Sequence, residues 1–344
     1  MNAMAVAGIG LVTSIGLDAP ATCAALRAGI ANPSASHTIF DGERPLAMHR
    51  VPLERPWSGL ARHVKLLAPA VRQCLERGNA AAQDVPLILC VAEPDRAGRC
   101  SRLESDLIIE LQAELGMRFH AERSSVIALG RVGVLAALLR ARDLLADATV
   151  PGVIVAAVDS LLDSRTLETL HVQQRLLTES NSNGFIPGEG GGALRLTRAR
   201  GAEGELVCIG LGYGEEDAPL RSGKPLRADG LSTAIRAALA EANLAIHDLD
   251  FRIADVSGEQ FFFKEATIAL GRLLRVRKAA FDLWHPSDGT GETGAVAGIA
   301  MVAMAAMACA KNYAPGHRML LHASADGAHR AAAIFQYIGG NALS

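Results

Sequence analysis

The amino-acid sequence predicts an α/β protein in which short strands alternate with helices along the whole chain. Runs of Val, Ile and Leu recur between longer stretches rich in Ala and Leu, which is the alternation typical of that class. The runs are apolar at nearly every position, as in strands that are covered on both faces. Half of the 344 residues are hydrophobic, so the chain can build a large core.

The elements follow from this pattern in chain order. The apolar runs predict strands at 6–12, 87–91, 152–158, 193–196, 206–211, 251–256, 279–283, 319–322 and 333–338. The Ala- and Leu-rich stretches have high helix propensity and predict helices at 20–28, 59–77, 132–147, 231–241 and 294–310. Residues 33–57 and 213–230 contain more Pro, Gly and charge, which predicts surface loops. The last helix is uncharged but poor in Leu, Ile and Phe, which favours a buried helix over a membrane span.

The order of elements also predicts two similar halves within one compact unit. Each half begins with a strand, and each contains a long Ala-rich helix ahead of a later strand. Residues 197–204 are charged and contain glycine, as a connection between the halves would be. We therefore place the N-terminal half at 1–203 and the C-terminal half at 204–344.

Charge and cysteine content exclude several functional classes. The net charge is −2 and aromatic residues make up 4% of the chain, so neither a basic face nor a stacking surface for a nucleic acid is expected. The six cysteines are scattered without a C-x-x-C pair, which argues against a disulfide framework and favours the reducing cytoplasm. Residues 1–10 are typical of a buried strand and not of a targeting segment, and we expect no membrane partner.

Two glycine-rich segments stand out. Residues 7–16 follow a strand but fail the dinucleotide-binding spacing, because Thr13 stands where the third glycine belongs. Residues 184–194 lack the lysine of a phosphate-binding loop. We therefore expect no cofactor and no metal, and we interpret the second segment as a structural turn in which backbones pack too closely for a Cβ atom. The turn is formed by Gly184, Gly188, Glu189 and Gly190.

Both segments resemble those of the β-ketoacyl-[acyl-carrier-protein] synthases. Residues 7–16 are similar to the opening strand and turn of that family. The stretch from Val153 through Asp159 to the Gly-Phe-Ile-Pro-Gly-Glu-Gly turn at 184–190 is similar to a later strand and turn. The resemblance covers nearly the whole chain, which is shorter than most members. It implies a thiolase-like fold of five layers, α-β-α-β-α, built from two similar halves and usually found as a homodimer.

The condensation reaction of that family uses one Cys and two His, and the matching segments of this chain lack all three. The Cys lies at a helix N-terminus, where the dipole lowers its pKa, and the two His assist decarboxylation and stabilise the enolate. Here Arg131, to within one residue, stands in place of the Cys, and Ser257 and Glu292 stand in place of the two His. Because Arg stays protonated it cannot be a nucleophile, so we expect no ordinary condensation.

Two interpretations of these replacements are open. In the first, a buried ion pair between Arg131 and Glu292 fills the former site, since a cation at a helix N-terminus needs a compensating anion. In the second, Ser257 is the nucleophile of an acyltransferase or hydrolase and faces Glu292. For that route we expect the neighbouring Arg to lower the pKa of the carboxylate and to make it a poor base.

Four further residues are candidates for a pocket near this site. Phe261 and Phe263 belong to an unusual aromatic cluster, which either packs in the core or at a dimer interface or forms a wall of an acyl pocket. His285 and Asp288 lie just ahead of Glu292 in the sequence.

The resemblance leads to two hypotheses of different classes. The first is a ketosynthase-like subunit that no longer condenses and acts by binding, as a homodimer or as a heterodimer with a ketosynthase-like subunit. It would work either like a chain length factor with an acyl carrier protein, or as an adaptor. The chain, including 17–25 and 51–57, is similar to ketosynthase-like proteins of bacterial type VI secretion loci, which implies a cytoplasmic accessory role in effector loading. The second hypothesis is a working acyltransferase of the 3-oxoacyl synthase type, or a hydrolase, that uses non-standard residues.

Overall fold

The computed structural model describes residues 3–76 and 85–339. The strands are β1 (Met4–Val12), β2 (Ser34–Asp41), β3 (Arg44–Met48), β4 (Leu87–Cys90), β5 (Ser125–Ile127), β6 (Val153–Ser160), β7 (Glu189–Arg198), β8 (Leu206–Glu215), β9 (Phe251–Ala254), β10 (Leu283–Trp284), β11 (Arg318–Ser324) and β12 (His329–Tyr337). The helices are α1 (Ala19–Arg27), α2 (Gly59–Glu76), α3 (Leu107–Leu115), α4 (Gly133–Ala146), α5 (Ser164–Val172), α6 (Asp229–Ala242), α7 (Gln260–Leu273), α8 (Ser287–Thr290) and α9 (Ala297–Ala310).

Ten of the described strands form one mixed sheet that repeats a single strand order. From the middle of the sheet outward, one side runs β1-β7-β6-β4-β5 and the other runs β8-β12-β11-β9-β10. When the five strands of each side are numbered in chain order, both sides have the same spatial order from the middle outward, 1-5-4-2-3. The two sets join where β1 pairs with β8, through Met4 opposite Cys208 and Ala5 opposite Val207. The boundary that the sequence predicts at 203/204 lies in the connection between β7 and β8.

The alternation of side chains shows that both faces of the sheet are covered by helices. On β6, Val153 and Val155 pack toward α4 and α9, whereas Ile154 and Ala156 pack toward α2 and α3. On β12, Ala333 points to the same inner layer, and Ile334 packs toward α6. Helices α4 and α9 therefore form a middle layer between two sheet regions, and α2, α3, α6 and α7 form the outer layers. This is the five-layer α/β arrangement that the sequence predicted.

The uncharged helix expected near 294–310 lies in this middle layer. It begins with a 3₁₀ turn at Gly294–Val296 and continues as α9, where residues such as Met301 and Ala305 are fully buried. Burying an apolar side chain of this size contributes about 1.5–3 kcal/mol. The helix is apolar on all sides and buried along most of its length, as expected of a central element.

The expectation of a surface loop over the whole of 33–57 is wrong. Strands β2 and β3 form a hairpin there, with Asp41 opposite Arg44. The Asp41-Gly42 pair is a strong turn signal, and Gly42 has a φ of +62°, which glycine adopts without strain. The charge and proline content of residues 33–57 favoured a loop and did not indicate this hairpin.

One predicted strand is far shorter than expected. Of the apolar run at 279–283 only Leu283 belongs to a strand, the two-residue β10, because Ala279 and Ala280 are exposed and pair with no described strand. Alanine is a weak strand former, and β-branched residues are absent from this run.

Candidate functional site

Arg131 lies in the 3₁₀ turn that leads into the middle-layer helix α4. The chain leaves β5, turns at Gly130 with a φ of +50°, and passes through a 3₁₀ turn at Gly130–Val132 into α4. Arg131 is 5% exposed. A cation at this end of a helix is opposed by the dipole, so it needs carboxylates around it.

The Arg131 guanidinium contacts three carboxylates and one aromatic ring. Its Nη1 lies 3.4 Å from Glu292 Oε2, so the predicted ion pair is present. Its Nη2 lies 2.9 Å from Asp326 Oδ1, and its Nε lies 3.8 Å from Asp255 Oδ2. The guanidinium carbon sits 4.0 Å from the centroid of the Phe262 ring, a favourable cation–π arrangement. Sequence reasoning found one of the three acids and missed the other two.

The carboxylates around Arg131 are held by further donors. Ser257 Oγ donates to Glu292 Oε2 over 2.7 Å, and the backbone N–H of Gly294 donates to Glu292 Oε1 over 2.8 Å. The backbone N–H of Ser324 donates to Asp255 Oδ2 over 3.0 Å. Arg131, Ser257 and Glu292 are thus brought together in space, although 161 residues separate Arg131 from Glu292.

A second arginine, which sequence analysis missed, extends this network. Arg175 donates through Nε and Nη2 to the two carboxylate oxygens of Glu259, over 2.8 and 2.7 Å. It also donates through Nη2 to Asp326 Oδ1 over 2.9 Å, so Asp326 is shared by Arg175 and Arg131. Bidentate arginine–carboxylate pairs are among the stronger and more directional polar contacts in proteins. The site is therefore a rigid charged network.

A third arginine completes the charged cluster. Arg96 donates through Nη1 to Asp159 Oδ1 over 2.7 Å and also binds Glu93. The other oxygen of Asp159 accepts the backbone N–H of Ala295 over 2.9 Å. With Arg131 and Arg175, three arginines meet the carboxylates of Glu93, Asp159, Asp255, Glu259, Glu292 and Asp326. Carboxyls thus outnumber cations in a largely buried space.

Burial and this imbalance shift the carboxyl pKa values in opposite directions. Burial raises the pKa of Asp255 to about 7, although Arg131 partly opposes the shift. Burial also raises the pKa of Glu292 above its usual range. Arg131 does act to lower the pKa of Glu292, as expected, but desolvation outweighs the attraction of the guanidinium, so the expected net lowering is wrong. For Asp326, burial opposes ionisation, but Arg131 and Arg175 together hold its pKa well below the usual range.

A cavity of about 420 Å³ opens beside Arg131. Its wall includes apolar side chains such as Leu129, Leu170 and Phe185, and its charged part includes Arg175 and Asp326. This volume falls within the usual range for ligand pockets, about 300–1,000 Å³. The charged network therefore borders this cavity without filling it.

A cysteine lies closer to this site than the sequence suggested. Cys90, at the end of β4, has its Cβ 3.4 Å from where a Cβ on Gly133 would stand, at the first residue of α4. The side chain is fully buried in the core, and burial raises the pKa of its thiol. A thiol sealed in apolar surroundings stays protonated and unreactive, so Cys90 does not replace the missing nucleophile.

None of the four candidate pocket residues lines the cavity at Arg131. Phe261 and Phe263 flank a small cluster around buried Phe262 on α7. The Phe263 ring meets the His285 ring edge-on at a centroid distance of 5.7 Å. His285 Nδ1 lies 3.1 Å from Asp288 Oδ1, and the Asp288 side chain is 76% exposed. It is Phe262, between the two predicted phenylalanines, that touches the arginine.

The glycine turn at 184–190 packs as the sequence predicted. A Cβ on Gly188 would stand 2.6 Å from the carbonyl oxygen of Thr290, and a Cβ on Gly190 would stand 2.7 Å from that of Val12. Neither contact is compatible with a side chain. A Cβ on Gly184 would likewise stand 2.5 Å from the Leu176 carbonyl carbon.

The turn's Glu189 is a structural residue with its own partners. It is fully buried, and Arg62 donates through Nε to its Oε2 over 2.6 Å. The backbone N–H of Val51 donates to its Oε1 over 2.9 Å, and Ser160 Oγ donates to its Oε2 over 2.9 Å. The ion pair between Arg62 and Glu189 links α2 to the start of β7 and is separate from the Arg131 network.

Residues 3–76 and 85–339 contain neither a metal site nor a membrane-spanning helix. No group of His, Cys, Asp and Glu side chains there could hold a metal ion. In the same part of the chain, the helices are too short or too polar to cross a membrane. All six cysteines lie in this part and all are free thiols.

Comparison with known proteins gives matches in structure alone. No protein-family model and no curated protein matches the sequence. The ishigamide ketosynthase/chain length factor superposes with a TM-score of 0.78 at 16% identity, covering 98% of this chain and 99% of that one. A ketosynthase in complex with its chain length factor from Xenorhabdus doucetiae gives a TM-score of 0.78 at 13% identity, with 98% of each chain covered.

A third structure adds a carrier protein to this set. It is described as a type II polyketide synthase acyl-carrier protein in complex with its ketosynthase bound to the hexaketide. It gives a TM-score of 0.80 at 15% identity, covering 98% of this chain and 99% of that one. The chain therefore has the thiolase-like fold of ketosynthases and chain length factors over its whole described length.

Proposed function

We propose that this chain is a ketosynthase-fold subunit that does not condense and that acts by binding, in the manner of a chain length factor. The observation that carries the proposal is the Arg131 network. The Arg131 guanidinium is bound to three carboxylates at the start of α4, where the family resemblance implies the thiolate of a condensing enzyme. An arginine cannot form an acyl intermediate, and loss of the nucleophile alone removes most of the rate of a catalytic set.

The open cavity gives such a subunit a place where a ligand can bind. About 420 Å³ of space borders Arg131, with apolar walls and a charged part. A flexible arm or acyl chain can enter such a space without a covalent bond being formed. We therefore propose that the cavity receives part of a substrate or of a carrier protein and does no chemistry on it.

The free edge of the sheet supports association with a second ketosynthase-fold chain. Strand β5 ends the described sheet on one side. The carbonyl oxygen of Ile127 accepts the N–H of Val91 over 3.0 Å, so Ile127 faces β4. Because alternate residues of a strand turn their backbone groups to opposite sides, the N–H and C=O of Val126 point to the open edge. Unpaired edges of this kind pair readily with another strand.

The opposite edge of the sheet, at β10, offers a shorter strand for pairing with another chain. Strand β10 has two residues, and Trp284 packs against the Phe251 ring at 4.8 Å and the Tyr313 ring at 6.3 Å between centroids. We therefore place the proposed interface at β5, with a second copy or a ketosynthase-like partner as the occupant.

Intact-mass measurement after incubation with acyl-carrier-protein and coenzyme A thioesters tests the chemical part of the proposal. We expect no acyl adduct and no thioester turnover, with an active ketosynthase as the positive control. An adduct that disappears in Ser257→Ala, while persisting in Cys90→Ala, would overturn the proposal. It would establish the alternative, an acyltransferase or hydrolase in which Glu292 accepts the proton from Ser257 Oγ, the two being 2.7 Å apart.

Sedimentation velocity tests the interface. We expect the chain to associate with itself or with a co-expressed ketosynthase, and Val126→Pro to reduce it to a single chain. Proline removes the outward N–H without touching the bonds between β5 and β4. Val276→Pro, in an exposed loop, is the matched control. An unchanged assembly in Val126→Pro would contradict the β5 interface. Capture of a secretion effector in place of a ketosynthase or carrier protein would favour the type VI adaptor hypothesis.

A further inference from the structure

A second cavity, of about 390 Å³, lies between α1 and the C-terminal end of α9. It shares no lining residue with the cavity at Arg131. On one side are Pro20, Ala24 and Ala28, and on the other are Met307 and Tyr313. The small side chains at 24 and 28 are one helical turn apart, so they leave a hollow that larger residues would fill. The hollow is open to the surface, since Pro20, Ala24, Arg27, Ala28 and Lys311 are all exposed.

The lining of this cavity carries positive charge and no carboxylate. Its charged residues are Arg27 and Lys311. Neither makes an ion pair with any residue in 3–76 or 85–339, in contrast to Arg96, Arg131 and Arg175. Cys23 adds no negative charge, because burial raises the pKa of its thiol to about 12. An apolar hollow is therefore combined with two cations that lack a carboxylate partner within the described part of the chain.

The arginine is held in a position that suits a bound anion. Its guanidinium carbon stacks over the Tyr313 ring at 4.3 Å from the centroid. Stacking uses the face of the guanidinium and leaves the N–H groups at its edge free to donate. Tyr313 in turn stacks on Trp284 at 6.3 Å, so the platform is rigid.

Helix ends account for only part of this charge. Arg27 is in the last turn of α1, and Lys311 caps α9, where cations offset the helix dipole. Each dipole amounts to roughly half a negative charge, and the terminal carbonyls already accept backbone N–H groups, including those of Ala28 and Lys311. Two full positive charges exceed what the two helix ends require.

We propose that this cavity binds an anionic amphiphile, namely a medium-chain alkyl carboxylate, whose head group is held by Arg27 and Lys311. The apolar chain lies along Ala24, Ala28 and Met307, where it buries surface that is now open to water. The site is independent of the proposed function, because it shares no residue with the Arg131 network or with β5.

Titration with decanoate below its micellar concentration tests the site. In a Trp57→Phe background Trp284 is the remaining tryptophan, and its stacking on Tyr313 makes its fluorescence report on the cavity. We expect saturable binding, about tenfold weaker in Arg27→Gln/Lys311→Gln. We expect it to be lost in Ala24→Phe, which fills the hollow. Decylamine should not bind.

The matched control is Arg236→Gln/Lys264→Gln, which removes the same charge from exposed positions on α6 and α7 and should bind decanoate like the parent. Thermal unfolding of each variant verifies that it is folded. Absence of saturable binding, equal binding of decylamine, or equal weakening by the control pair would each overturn the proposal. Isothermal titration calorimetry provides a readout that does not depend on Trp284.

Discussion

The two helices of the middle layer begin in the same way and differ in one residue that decides the character of the site. Each follows a glycine with left-handed backbone, Gly130 at a φ of +50° and Gly294 at +56°, and each passes through a 3₁₀ turn into a helix of 14 residues. A carboxylate lies over each glycine. A Cβ on Gly130 would stand 2.2 Å from Glu93 Oε1, and one on Gly294 would stand 2.0 Å from Asp159 Oδ2.

The difference is the residue that follows each glycine. After Gly294 comes Ala295, whose N–H donates to Asp159, so that helix start has the anion its dipole favours. After Gly130 comes Arg131, a cation where the dipole opposes it, and carboxylates from distant parts of the chain surround it. The same backbone device thus caps a helix in one half and holds a charged network in the other. The backbone geometry of the fold is independent of the chemistry placed on it.

Replacing the Arg131 cation should have the largest effect on stability. Arg131→Gln leaves Asp255, Glu292 and Asp326 with less compensation, and we expect a loss of about 3–5 kcal/mol of stability at pH 7. Denaturant unfolding measures it. The control is Arg44→Gln, whose pair with Glu179 is mostly exposed and should contribute under about 1 kcal/mol. Equal losses in the two variants would show that the buried network carries no special weight.

The pH dependence of folding stability tests the charge assignments in this network. The pKa of Asp255 is raised to about 7 on folding, so between that value and its ordinary 3.8 the folded chain binds more protons than the unfolded chain. Stability from this group is present at low pH and is lost as the pH rises through about 7. From pH 8 to pH 5 we expect a gain of roughly 2–3 kcal/mol that Asp255→Asn lacks.

The contribution of Asp326 to stability should have the opposite pH dependence. Its folded pKa is lowered, so its contribution is present above the ordinary carboxyl pKa and is lost as the pH falls. Asp326→Asn should therefore be most damaging near pH 7 and least damaging in acid. A parallel pH response of the Asp255 and Asp326 variants would contradict the assignment of these charges.

The two glycines give the smallest expected effect and test the shared device directly. Gly294→Ala puts a Cβ against Asp159, which is buried and fixed by Arg96, and we expect a loss of about 2 kcal/mol. Gly130→Ala meets the end of the partly exposed and more flexible Glu93, and we expect about 1 kcal/mol. Thermal unfolding ranks them, and Gly271→Ala, with open space around it, is the control. A reversed order would show that Glu93 is the more rigid partner.

The sequence predicts most of the layered fold and only the centre of the site. Apolar runs such as that of β6 are visible because a strand buried on both faces must be apolar at every position. The pairing of Arg131 with Glu292 follows from the family resemblance combined with the need for a counter-charge. Sequence analysis missed Asp326 and Arg175 because no local pattern marks a charged residue whose ion-pair partners lie 84 to 195 residues away in the chain. The raised pKa of Glu292 depends on burial, which no sequence motif reports.

The junction of β1 and β8 has a consequence for how the molecule comes apart. Two residue pairs join the sheet halves there, whereas charged contacts such as Arg131 to Asp326 and Asp159 to Ala295 run between the halves through the middle layer. Neither half can melt without exposing unpaired charge of the other. We therefore expect heat denaturation to be a single cooperative event, and equal calorimetric and van't Hoff enthalpies would verify it. Fragments split in the β7–β8 connection must recombine before either one reaches its native packing.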